Sequence, residues 1–103
     1  MILYRIHQIK DIENTDYAFR GYDPKKFNFE DYECRYEGEF QSLENKTNLE
    51  ICEVVFHIFN MRRPKDFEGH SLSMSDIIEI RHNETSRSWF YYCDTFGWQR
   101  IVR

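Results

Sequence analysis

Apolar and polar residues alternate from the start of the chain, where Ile2, Tyr4 and Ile6 recur with a period of two and Leu3 and Ile9 add further apolar positions. Successive side chains of a strand point to opposite faces, so this pattern predicts an opening strand over 2–9. Asp23-Pro24 has the form of a helix cap followed by proline at the first helical position, and it predicts a short turn of helix over 25–29. The period of two then returns. Tyr32, Cys34, Tyr36 and Phe40 alternate with Glu33, Arg35, Glu37 and Glu39, which predicts a strand with one solvated face.

The period changes after Thr47. Thr47-Asn48-Leu49-Glu50 has capping-box spacing, in which the Thr hydroxyl and the Glu carboxylate each satisfy a free N–H of a helix start. Behind it, Leu49, Cys52, Val55, Phe56 and Phe59 recur at helical spacing, while Glu50, Glu53, His57 and Asn60 form a polar stripe. Ile51, Val54 and Ile58 widen the apolar arc, so the main helix, over 48–61, should lie largely buried against a sheet. Arg62 and Arg63 complement the carbonyl end of the helix dipole, and Pro64 cannot continue the helix.

Beyond a loop over 62–69, residues 77–81 read as a strand, 82–88 as a polar turn and 89–94 as a second strand. Thr95-Phe96-Gly97 then turns the chain into a third strand over 98–102. Three strands in series predict an antiparallel meander. The expected fold is α+β: an antiparallel sheet of four or five strands packed on one main helix, with a C-terminal β-meander. Leu49, Cys52, Val55, Phe56, Phe59, Ile78 and Ile80 are the expected core. With 103 residues and no linker-like tract, one domain over 1–103 follows, because the chain is too short for two cores.

Composition sharpens this picture. Apolar content of 41% with 17% aromatics argues against disorder and for an aromatic core. No apolar run approaches the ~20 residues needed to cross a bilayer, and the first residues lack the basic-then-apolar order of a secretory signal. No membrane association and a cytoplasmic location are the expectation. Cys34, Cys52 and Cys93 are odd in number and far apart, which suits buried free thiols better than a disulfide framework. No metal or cofactor is expected.

The stretch GHSLSMSDIIEI (69–80) carries the most suggestive chemistry. GHSLS approaches the G-x-S-x-G nucleophile elbow, but Ser73 stands where the second glycine belongs, and a β-branched run follows where the elbow needs a helix. Ser75-Asp76 reads instead as a structural turn leading into Ile77. His70 and Asp76 with a hydroxyl from Ser71 or Ser73 form the one compact set that a small hydrolase would use, with Asp94 as a further candidate. GHSLSMSDIIEI, followed by YYCDTFGW, resembles the YodL-like domain, and AFRGYD and Tyr36-Glu37-Gly38 are similar to its N-terminal half. The matching residues are Gly69, His70, Ser71, Ser73, Ser75, Asp76, Tyr91, Tyr92, Asp94 and Gly97. The resemblance implies a small protein of Gram-positive bacteria and their mobile elements, and it implies no shared catalytic residues.

Charge is uneven. Residues 28–53 hold eight acidic against two basic residues, a local net of −6 in a chain of net −4. A solvated face or an acidic docking surface for a basic partner both fit such a block. For the docking surface, Glu33, Glu37, Glu39, Glu50 and Glu53 are the candidate partner-binding residues, with Glu37 and Glu39 joining Glu50 and Glu53 in one patch. In the C-terminal third, Trp89, Phe90, Tyr91, Tyr92, Phe96 and Trp98 interleave with Arg81, Arg87, Arg100 and Arg103. This could stack a single-stranded nucleic acid, but strand alternation buries at least half of these aromatics and the net charge opposes the reading. The expectation is a non-enzymatic protein-interaction module: an accessory or inhibitory factor of a mobile element or phage, acting on a basic or nucleic-acid-handling host protein. An anti-CRISPR-type inhibitor of a defence nuclease is one form of it.

Overall fold

The alternating and helical patterns resolve into six main elements in the computed structural model, which describes residues 1–102. They are β1 (Ile2–Ile9), β2 (Tyr32–Phe40), α1 (Asn48–Met61), β3 (Ile77–Arg81), β4 (Trp89–Cys93) and β5 (Trp98–Ile101). The strands form one antiparallel sheet in the order β2-β1-β3-β4-β5. The expected α+β architecture and C-terminal meander are therefore present, with five strands.

Helix α1 begins at the capping box. Glu50 N–H donates to Thr47 Oγ1 at 3.2 Å, and Thr47 N–H donates to Glu50 Oε1 at 2.9 Å. Its buried face is Ile51, Cys52, Val55 and Phe59, set against Ile2, Tyr4, Ile6, Ile78, Ile80 and Tyr91 of the sheet, with Phe67 and Leu72 closing one end. Each fully buried Ile or Phe contributes roughly 1.5–3 kcal/mol. Two core expectations need correction. Leu49 is 51% exposed, because in the first turn it lies off the face that Ile51 and Cys52 present to the sheet. Phe56 is only partly buried, edge-on to Trp98.

The second strand departs from a simple alternation. The register of β1 with β2 runs Ile6↔Tyr36 and then His7↔Cys34, so Arg35 is bulged. A bulge inserts one unpaired residue and swaps the faces beyond it. Tyr36 and Phe40 accordingly pack toward α1, whereas Tyr32 belongs to the core on the opposite face. Cys34 is exposed beside the bulge, which corrects the expectation of three buried thiols; Cys52 and Cys93 are buried. Burial raises the pKa of both buried thiols and keeps them protonated.

The face of the sheet away from α1 is covered as well. Residues 10–31, which carry a single turn of 3-10 helix at Phe29–Asp31, lay Tyr17, Tyr22, Phe27 and Phe29 over Ile9, Tyr32, Ile77, Phe90, Tyr92 and Ile101. Tyr22 meets Tyr92 and Phe29 meets Phe90 edge-on, with ring centroids 5.2 and 5.1 Å apart. The expected helical turn over 25–29 is a hydrogen-bonded turn, with Phe27 N–H donating to Asp23 O at 3.0 Å. Among the described residues no helix is long and apolar enough to cross a membrane.

Candidate functional site

The 69–76 loop owes its shape to two backbone constraints. Ser75 has φ +77°, a region unfavourable for residues with a Cβ. It is held there by Ser75 N–H donating to Cys93 O at 2.9 Å and by Tyr32 Oη donating to Ser75 O at 2.5 Å. Phe19, the other non-glycine residue with positive φ (+62°) among the described residues, donates its N–H to Ser75 Oγ at 3.0 Å. The two strained positions brace each other, tying the aromatic loop to the motif loop.

Beneath this brace lies a buried polar cluster. Asp76, only 2% exposed, accepts at Oδ2 from Gln8 Nε2 (3.1 Å) and from Ser73 N–H (2.9 Å). Its other oxygen is 3.8 Å from His70 Nε2. Burial pushes the Asp76 carboxyl up to about 6, against the opposing pull of the Ser73 N–H, His70 and Gln8. Gln8, fully buried, also donates to His70 O at 2.9 Å. Gly69 sits so close that a Cβ there would come within 2.1 Å of Gln8 Oε1. Asn60 of α1 anchors the loop from the other side, with both amide atoms on the Leu72 backbone at 2.7 and 3.1 Å.

The structure thus gathers His70 and Asp76 as the spacing suggested; among the described residues neither the Ser71 nor the Ser73 hydroxyl hydrogen-bonds to His70, and the buried Ser73 Oγ has no hydrogen-bond partner. Ser71 Oγ accepts from Arg63 at 2.7 Å, and His70 Nδ1 is 2.7 Å from Ser71 O. Asp94 does not join them: its Oδ1 accepts from Tyr22 N–H and Thr95 N–H at 3.0 and 2.8 Å, and its N–H donates to Gly97 O at 2.9 Å. Gly97 closes the β4–β5 turn with φ +80°. Tyr91 and Tyr92 project to opposite faces. Tyr91 Oη accepts from Asn48 at the start of α1 (3.0 Å), and Tyr92 Oη donates to Arg20 O in the aromatic loop (2.8 Å). These motif residues clasp α1, the aromatic loop and the sheet together.

A second polar cluster escaped the sequence reading. Glu79, 5% exposed, accepts from His7 Nε2 at 2.8 Å and from Ser88 Oγ, and Arg5 lies 3.7 Å away. Burial alone would raise the Glu79 carboxyl, but the His7 and Ser88 hydrogen bonds and the nearby cations outweigh it and hold it below its usual value. The sequence signal was faint: Glu79 interrupts an isoleucine run, and His7 interrupts an apolar strand.

The acidic residues do not form one patch. Glu37 pairs with Arg5 at 2.8 Å, and Glu37 and Glu39 share the face of β2 away from α1. Glu33 pairs with Arg35 at 2.8 Å. Glu50 and Glu53 lie on α1, and Glu53 accepts from Trp98 Nε1 on β5, at the far edge of the sheet from β2, at 2.9 Å. What they border instead is a groove of about 410 Å³ lined by Leu49, Glu50, Glu53, Phe96, Gly97 and Trp98. Phe96 there is 95% exposed. Among the C-terminal aromatics, Phe90, Tyr91 and Tyr92 are buried, while Arg87 and Arg100 both lie over the Trp89 ring. Arg81 is spent on the carbonyls of Glu84 and Ser86, and Arg103 lies outside the described residues.

No curated protein and no solved structure matches this sequence or fold. The family model of the YodL-like domain matches residues 3–103, a span that takes in the motif loop and the β4–β5 turn just described, and the chain belongs to that family.

Proposed function

We propose that this domain is a non-enzymatic protein-interaction module, and that the groove between the first turns of α1 and the β4–β5 turn is its docking surface. One observation carries the reading: Phe96, at 95% exposure, and Leu49, at 51%, stand together beside Glu50 and Glu53. A large exposed apolar side chain on a tight turn costs solubility and contributes nothing to the core, which suits an anchor for another protein. The carboxylates at its rim select a segment that offers an apolar side chain next to lysine or arginine, because complementary charge steers encounter and sets register. The hydrogen bonds of Asp76 Oδ2 to Gln8 and to the Ser73 N–H, and of Ser71 Oγ to Arg63, support a structural role for the His70–Asp76 pair over a catalytic one.

The net charge of −4 and the acidic rim suit a basic, nucleic-acid-handling protein as partner. The proposal in its fuller form is an accessory or inhibitory factor of a mobile element or phage that works in the cytoplasm, of which an anti-CRISPR-type inhibitor of a defence nuclease is one case. The test is selection of a random displayed peptide library on the purified protein. Enriched peptides should share an apolar residue flanked by Lys or Arg, and Phe96→Ala should abolish their binding with the melting temperature unchanged. Enrichment of acidic peptides, or binding indifferent to Phe96→Ala, would remove the groove as the docking surface.

A further inference from the structure

Four arginines of this acidic protein have polar partners. Arg5 and Arg35 meet carboxylates, Arg63 meets Ser71, and Arg81 meets backbone carbonyls. Arg87 and Arg100 differ. Their guanidinium carbons lie 4.9 and 4.2 Å from the centroid of the same Trp89 ring, and among the described residues neither forms an ion pair. Two cations are therefore held within about 9 Å of each other with no carboxylate between them, inside the ~10 Å over which charges interact at moderate salt. Cation–π attraction, roughly 0.5–1 kcal/mol at an exposed site, keeps each on the ring. It leaves the N–H donors of the guanidinium unspent.

These groups open onto a cleft of about 460 Å³ lined by Arg87, Ser88, Trp89, Phe90, Arg100, Ile101 and Val102, with no acidic residue among the described residues of its lining. The volume is that of a small-molecule site. Val102, 81% exposed, and the Trp89 ring provide the apolar surface, and the arginine forks provide paired donors in the geometry that phosphate oxygens accept.

We propose that this cleft binds a small organic phosphate monoester of nucleotide size. A monoester near neutral pH carries close to two negative charges, which matches two guanidinium groups. A polyanionic strand would bring many more charges than the cleft can neutralise and would meet the negative charge of the whole molecule. The ligand is held by Arg87 and Arg100 at its phosphate and by Val102 and the Trp89 ring at its organic part. The site is independent of the Phe96 groove.

The test uses adenosine 5′-monophosphate, adenosine, inorganic phosphate and a short single-stranded oligonucleotide as probes. Calorimetry on the unaltered protein gives affinity. The Trp98→Phe variant, in which Trp89 is the remaining tryptophan, reports contact by fluorescence. The monophosphate should bind saturably below about 5 mM and change Trp89 emission, and adenosine should do neither. Arg87→Gln and Arg100→Gln, both at exposed positions that should leave folding intact, should each weaken it about tenfold or more. Binding should also weaken as pH falls through about 6, where the monoester dianion takes up a proton and becomes a monoanion. Absence of saturable binding, equal affinity for adenosine, indifference to either arginine, or tighter binding of the oligonucleotide through the same residues would each overturn the proposal.

Discussion

Asp76 shows how much one position depends on residues far along the chain. Sequence alone marks Ser75-Asp76 as a turn, because short polar side chains satisfy local backbone groups there, and Ser73 N–H on Asp76 bears this out. Gln8 was not legible as its partner. A lone polar residue late in an alternating strand reads as solvent-facing, and only the pairing of β1 with β3 brings it to Asp76 across 68 residues. The consequence is a pH dependence. A carboxyl raised by burial from 3.8 to about 6 holds its proton more tightly when folded. Stability should therefore fall as pH rises between these values and level off above them. Asp76→Asn keeps an oxygen for both Gln8 and Ser73 while removing the titration. Urea denaturation across that range should show the parent losing stability relative to the variant as pH rises, because the other carboxyls, Glu79 among them, act on both alike. Gly69→Ala, by contrast, drives a methyl into Gln8 Oε1 and should lower stability at every pH, by roughly 1–3 kcal/mol.

At the scale of elements, the boundaries of β1, α1 and β3 follow the sequence pattern closely, because capping residues and period changes are local signals. The faces were less legible. On α1 the apolar arc is broad enough that periodicity admits either Leu49 or Ile51, and the packing of Ile51 on the sheet decides it. Ile51→Ala should cost about 2–5 kcal/mol, whereas Leu49→Ala, at a half-exposed site, should cost under about 1 kcal/mol. Equal losses in chemical denaturation would show the helix rotated from this orientation. Thr47→Ala removes the cap and should cost about 1 kcal/mol, measurable as a lower melting temperature with the sheet signal intact. On β2, the bulge at Arg35 leaves no mark in an alternating sequence, since a bulge is an irregularity in pairing and pairing is not local.

For the molecule as a whole, the sheet topology redistributes charge that the linear sequence shows as one block. Glu37 and Glu39 end on β2 at one edge of the sheet, while Glu50 and Glu53 border Phe96 beside β5 at the other. Two-dimensional neighbourhood was invisible in a run of acidic residues. The same topology explains the aromatic content: both sheet faces are covered, one by α1 and one by residues 10–31, so most of the C-terminal aromatics belong to the core. Charge reversal then has a position-dependent consequence. Glu53→Lys with Glu50→Gln, which keeps a capping-box residue at position 50, should slow association with a basic peptide selected on the groove. Reversal of Glu37 and Glu39 should not. Raising salt from about 0.05 to 0.5 M should shrink the difference, as the screening length falls from roughly 14 to 4 Å.

The most direct test of the docking surface is photocrosslinking in the native cell, with a benzophenone amino acid placed at Phe96 in one strain and in another at Gln41, which directly follows β2, the edge strand opposite β5. Crosslinks from position 96 should join the domain to one protein, at a peptide containing an apolar residue beside Lys or Arg, and should vanish when Glu53→Lys and Glu50→Gln are added. Crosslinking from position 41 to that same peptide with none from position 96, or crosslinks at 96 that persist unchanged with the charges altered, would contradict the account.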